Sequence, residues 1–204
     1  MSPPAWKLAT SEFLTPLRLA VAEPLHCSCG VFLSNEEIRR SLALALCHGR
    51  LLDLGCGENR LVREYRAAGG EGVGLDVHPW PGADLLVADS ARLPYPDGGF
   101  ETVTFVASLN HIPNREAVVR EAARLLAPGG RAVVTMLSPA VGALWHRLAF
   151  WDPDRHERGM RPGERFGLAP AEVEALFVAA GLRPVARRRF SWGLNRLYLF
   201  EKPA

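Results

Sequence analysis

At 204 residues and 22.3 kDa the chain is sized for one domain around a single buried core. A hydrophobic share of 48% with 23% charged residues excludes a disordered or fibrous chain, and a net charge of +2 is too mild to mark a nucleic-acid or membrane surface. No apolar run reaches the roughly 18 residues of a membrane span, and the first residues lack a signal-peptide pattern, so a cytoplasmic protein is expected.

Residues 1–49 read as N-terminal helices. Trp6, Leu8, Phe13, Leu14 and Leu17 recur at helical spacing, with Pro16 expected to break the run. Ser34-Asn35-Glu36-Glu37 starts a second helix, with acids in its first turn and Ile38, Leu42 and Leu46 behind them. This part is expected to pack on the first strand or to cover a ligand. Cys27, Cys29 and Cys47 could be written as a metal site, but a C-x-C pair is not the usual knuckle, and no metal is expected.

Residues 50–137 carry the strongest pattern. Leu51, Leu52 and Leu54 make a strand buried on both faces, ending in Gly55-Cys56-Gly57. The glycines let the backbone turn sharply and leave room for a ligand over the next helix N-terminus. Further strands are expected at 72–77, 84–89, 101–106 and 131–136. A helix lies between the last two, closed by Pro128-Gly129-Gly130. Such alternation predicts a parallel sheet with helices on both faces and ligands at the strands' carboxyl ends.

Residues 138–168 break that rhythm, mixing aromatics and arginines with nearly as many acids. As an insertion after the fifth strand they are expected to form an acceptor pocket, with Trp145, His146, Trp151, Arg155, His156 and Arg158 as its first candidates. Residues 169–204 read as a helix stopped by Gly181, then two strands joined by Ser191-Trp192-Gly193, an antiparallel hairpin closing the sheet edge.

Three acids stand at three successive strand ends: Asp53, Asp76 and Asp89. Asp53 suits an amino group better than a phosphate. Asp76 lies about twenty residues past the glycine turn, where a carboxylate takes ribose hydroxyls. Asp89 can accept from an adenine amino group, with the Ser90 and Ala91 amides beside it. A cationic head, a ribose, an adenine and no phosphate describe S-adenosylmethionine. A nicotinamide enzyme would need a small residue where Arg60 stands.

LLDLGCGEN, GVGLDV, VADSARLPYPDGGFETVTFVASLNHIPN and LLAPGGRAVVTM resemble, in order and spacing, the motifs of the class I S-adenosylmethionine-dependent methyltransferases. The nearest group is the broad bacterial one acting on small molecules and lipids. The resemblance covers about Leu51 to Met136 and is weaker on either side. It implies a Rossmann-like three-layer α/β/α sandwich with a mostly parallel seven-stranded sheet whose last strand is antiparallel. It also implies S-adenosylmethionine as donor and S-adenosylhomocysteine as product. Asp53, Gly55, Cys56 and Gly57 would then contact the methionine portion, Asp76 the ribose, Val77 the adenine face, and Asp89, Ser90 and Ala91 the adenine edge. Phe105 to Ser108, with Val106 and Ala107 at its centre, would line the sulfonium side. Asn59 stands where the family often has a third glycine, and asparagine tolerates the left-handed angles needed there.

His111, following the fourth strand, is the candidate general base, since its ordinary pKa suits proton removal at neutral pH. A histidine closing the pocket by a bond to a neighbouring loop is the other reading. Asn110 beside it is a candidate acceptor contact. An N-P-P-Y-like run, a cysteine near the fourth or fifth strand and a metal-binding acid cluster are all missing. This turns the reading from amide, cytosine and metal-dependent catechol methylation toward a small-molecule or lipid acceptor. A non-catalytic donor-binding protein is one alternative. An RNA acceptor, suggested by Arg187-Arg188-Arg189, is another.

Overall fold

In a computed structural model, which describes residues 3–21, 33–139 and 162–204, the chain forms one seven-stranded sheet between two helical layers. In chain order the elements are α1 (Ala5–Val21), α2 (Asn35–Leu44), β1 (Arg50–Leu54), α3 (Arg60–Ala67), β2 (Glu71–Asp76) and β3 (Leu85–Leu86). Then come β4 (Phe100–Val106), α4 (Arg115–Leu125), β5 (Leu126–Leu137), α5 (Pro170–Ala179), β6 (Arg183–Phe190) and β7 (Asn195–Glu201).

The strand order is β3-β2-β1-β4-β5-β7-β6, with β7 antiparallel to both neighbours and every other pairing parallel. The order in which strands are added reverses between β1 and β4, the switch point where α/β folds open a crevice at the strands' carboxyl ends. The two faces of β1 feed two cores. Leu52 and Leu54 join Phe105, Val118, Phe177 and Phe200 under α4 and α5, while Leu51 joins Ile38, Leu42 and Val62 under α2 and α3. Phe177 of α5 stacks on Phe200 at 4.4 Å and meets Phe105 edge-on at 5.8 Å, tying the last helix to β4 and β7.

The start of α2 is set locally. The Ser34 hydroxyl accepts from the Glu37 N–H, and the Glu37 carboxylate accepts from the Ser34 N–H, a reciprocal cap.

Three expectations are corrected. Helix α1 runs from Ala5 to Val21 through Pro16, whose missing N–H removes one backbone hydrogen bond without ending the helix. The third strand shrinks from 84–89 to Leu85–Leu86, because the chain then turns away so that Asp89 can hold the Ala91 N–H. Pro128-Gly129-Gly130 lies inside β5 rather than ending α4, since Gly129 N–H and Gly130 O pair with Lys202 beyond β7. The closing hairpin is antiparallel and lies at the sheet edge as expected, with its second strand, β7, beside β5 and β6 outermost.

Candidate active site

The carboxyl ends of β1, β2 and β4 open into a cavity of about 640 Å³. Asp53, Gly55, Cys56, Gly57, Asp76, Val77, Asp89, Ser90, Val106, Ala107 and His111 all line it. Strand register brings the first acid to its partner. Asp53 pairs across with Thr104, whose hydroxyl donates to Asp53 Oδ1 at 2.6 Å. Only 2% exposed, Asp53 has its pKa pushed up to about 7 by burial; the Asp76 charge adds to this, against the opposing Thr104 bond.

The glycine turn is held from below. Gly55 and Cys56 N–H both donate to Leu75 O at 3.0 Å, and Gly57 N–H donates to Asp76 Oδ2 at 3.0 Å. Asp76 Oδ1 accepts from His78 N–H, so this acid braces the turn as well as facing the cavity, a role its position at a strand end did not disclose. Gly55 takes φ +76°, and a Cβ there would lie 2.5 Å from Ser108 Cβ. Asn59 does adopt left-handed angles, φ 61° and ψ 29°, and its amide donates to Gly82 O. Burial first, then the Asp53, Asp76 and Asp84 charges, push the Cys56 thiol well up, and burial pushes Cys47 up to about 12.

Asp89 Oδ1 accepts from Ala91 N–H and from the Asn114 amide, in that order of effect, which holds its carboxyl below the usual range. Ala91 itself does not line the cavity; it acts through that bond. Val77 is 42% exposed, an apolar face turned to the open side. Past β4, Ala107 has φ 55°, and its N–H bonds Thr135, while Ser108 Oγ donates to Leu54 O at 2.6 Å. This fixes the strand-to-turn corner on which His111 sits.

Asn110 is buried and away from the cavity lining; its amide donates to Arg165 O and its carbonyl accepts from Arg165 N–H. The histidine beside it is bonded to a neighbouring loop: His111 Nδ1 lies 3.3 Å from Glu164 Oε2. Trp145, His146, Trp151, Arg155, His156 and Arg158 lie outside the described residues, as do Cys27 and Cys29. Among the described residues, no group of three His, Cys, Asp or Glu side chains could hold a metal. No described helix is long and apolar enough to cross a membrane.

Several wall residues escaped the sequence reading. Glu36, Arg39 and Arg40 line the cavity from α2, as do Glu58 and Arg60 after the glycine turn, and Arg60 bridges Glu58 and Glu36. Trp80 lines the opposite rim, packed on His78 at 4.7 Å. A helix start with acids and arginines carries no mark of facing a cavity, so only the fold could assign them. In the exposed arginine run of β6, Arg187 pairs with Glu174 and Arg188 with Glu12.

Carboxylates at the ends of β1 and β2, a third in the turn past β3, a glycine turn and an exposed valine surround the cavity at the switch point of an α/β sheet, a set suited to a cationic, unphosphorylated nucleoside. Residues 32–185 match the model of the family described as "Methyltransferase domain". The chain is 37% identical to a demethylmenaquinone methyltransferase of Thermus thermophilus, over 81% of this chain and 89% of the relative. It is 30% identical to a ubiquinone biosynthesis O-methyltransferase of Xanthomonas euvesicatoria, over 79% of this chain and 72% of the relative. In fold it matches the 1,6-didemethyltoxoflavin-N1-methyltransferase of Burkholderia thailandensis, solved with S-adenosylhomocysteine, at TM-score 0.61 and 15% identity, covering 100% of this chain and 93% of that one. The chain belongs to this methyltransferase family and is an S-adenosylmethionine-dependent methyltransferase.

Proposed function

We propose that the acceptor is a lipophilic aromatic hydroxyl compound of the quinol type, methylated in the cytoplasm. The observation that carries this is the chemistry of the cavity wall past β4. Val106, Ile112, Pro113 and Val118 make it apolar, and His111 is a polar group set among them. A flat ring with one acidic hydroxyl fits such a wall, apolar over most of its area with few polar groups to orient it. The names of the Thermus and Xanthomonas relatives point to the same class. Cys47 and Cys56 as free thiols suit a reducing compartment.

The residues present suit the donor. All of these line the cavity; in this reading Asp53 would take the donor's ammonium, Asp76 the ribose, Val77 the adenine face, and Asp89 with Ser90 the adenine edge. The donor supplies a methyl already activated on a sulfonium. What the protein adds is alignment, worth up to roughly 7–11 kcal/mol in favourable intramolecular models, and a base where the acceptor arrives protonated. His111 is that base in this reading. Residues 138–168 would complete the acceptor pocket, with Trp145, His146, Trp151, Arg155, His156 and Arg158 the side chains to substitute first.

The test is S-adenosylhomocysteine release on incubation with 1,4-dihydroxynaphthalene, the oxidised naphthoquinone and an RNA oligonucleotide. Release with the quinol alone is expected, falling about a hundredfold or more in His111→Ala while donor affinity holds. Release with RNA alone would overturn the acceptor class.

A further inference from the structure

Glu164 stands outside every motif singled out above, yet the fold delivers it to the candidate base. The 162–169 segment crosses the 109–115 corner and is fastened to it at successive residues. Arg115 Nη2 donates to Gly163 O at 2.6 Å, Asn110 Nδ2 donates to Arg165 O at 3.1 Å, and Arg165 N–H donates to Asn110 O at 2.9 Å. Gly163, at φ +89°, lies so close to Pro113 that a Cβ would come within 3.0 Å of the proline's own. Between these ties the Glu164 side chain is turned fully inward, with 0% exposure, and its Oε2 lies 3.3 Å from His111 Nδ1. A segment held at three points around one inward carboxylate is built to place that carboxylate.

From this geometry we infer that Glu164 is a positioning residue. It holds His111 in the tautomer with hydrogen on Nδ1, so that Nε2 takes the proton from a hydroxyl-bearing acceptor. The inference rests on the methyltransferase reading and on His111 as base. A carboxylate only accepts, so Nδ1 must carry the hydrogen, which leaves Nε2 as the ring's acceptor. The acceptor O–H proton passes to Nε2 as the oxygen's electron pair, directly or through the ring carbon it activates, forms the new bond to the methyl. The carbon–sulfur pair returns to sulfur, giving S-adenosylhomocysteine. The imidazolium beside Glu164 later returns its proton to water. An acceptor that arrives already deprotonated would gain nothing from this pair, so the site suits hydroxyls that arrive protonated at neutral pH and lose the proton on reaction: phenols, enols and quinols.

The test is side-chain ¹⁵N NMR of the histidines, assigned with His111→Gln, in the wild type and in Glu164→Gln, beside calorimetry of S-adenosylhomocysteine binding. The wild type is expected to show His111 with hydrogen on Nδ1 and an unprotonated Nε2. In Glu164→Gln, whose amide can turn either atom to the ring, that preference is expected to lapse while homocysteine-product affinity stays within about twofold. With 1,4-dihydroxynaphthalene, kcat is expected to fall at least about tenfold at little change in donor KM, and Glu164→Asp to restore part of it. A His111 tautomer unchanged by Glu164→Gln overturns the inference, whichever acceptor is turned over. Absence of product binding in the wild type would instead sink the donor site itself, a distinct failure.

Discussion

Asp53 is a carboxyl group buried at a strand end, and burial is what lifts its pKa to about 7 from an ordinary value of 3.8. Between those two values the unfolded chain gives up this proton while the folded chain keeps it. The folded state therefore binds more protons across that window, and the stability contributed by this group falls as pH rises from about 4 to about 7. Asp53→Asn is expected to remove that slope, at most about 1.4 kcal/mol per pH unit, from urea-unfolding free energies measured across the window. The same residue should link donor binding to protons. A bound ammonium favours the ionised carboxylate, so product binding at pH 6 is expected to release close to one proton, read as a dependence of calorimetric enthalpy on buffer, and Asp53→Asn to release none. Binding with no proton release in the wild type would detach Asp53 from the ammonium. At this scale the strand-end acids were legible because a carboxylate after a buried apolar run is a local signal. Glu164 and Arg39 were not, since each faces the site only through contacts made far along the chain.

Among the elements, the glycine turn between β1 and α3 separates two kinds of constraint. Gly57 has φ +53° and nothing within 4 Å of a would-be Cβ, so Gly57→Ala carries backbone strain alone. That costs about 1–2 kcal/mol. Gly55 combines φ +76° with a Cβ clash 2.5 Å from Ser108, whose hydroxyl is bonded to Leu54 O. Gly55→Ala is therefore expected to destabilise more than Gly57→Ala in urea unfolding and to weaken product binding strongly. Equal effects would mean the Ser108 contact yields freely. The turn and the capped start of α2 could be read in sequence because their signals span a few residues. The length of β3 and the start of β5 could not. Whether Pro128-Gly129-Gly130 ends a helix or opens a strand is decided by Lys202, some seventy residues on, whose backbone pairs with both glycines and whose Nζ donates to Arg124 O and Leu126 O.

Across the whole molecule, the cavity draws its walls from β1, β2, β4, α2 and the segment after β4, elements that belong to both faces of the sheet. A ligand bridging them must be released before the domain unfolds, so binding should register as global stability. That the sheet would be mostly parallel with an antiparallel last strand could be anticipated. That β7 slots between β5 and β6, and that the 162–169 segment then doubles back onto His111, depends on long-range pairing that no local pattern encodes. At a hundred times its Kd, S-adenosylhomocysteine should stabilise the fold by about 2.7 kcal/mol. For a domain of this size each kcal/mol is worth about 2–4 °C, so Tm is expected to rise by roughly 5–11 °C. NADH at the same concentration should leave Tm in place, because its pyrophosphate would meet Asp53 where a dinucleotide site offers bare amides. Asp53→Asn should lose most of the S-adenosylhomocysteine-dependent rise. A rise with NADH and none with S-adenosylhomocysteine would contradict the charge logic of the strand ends.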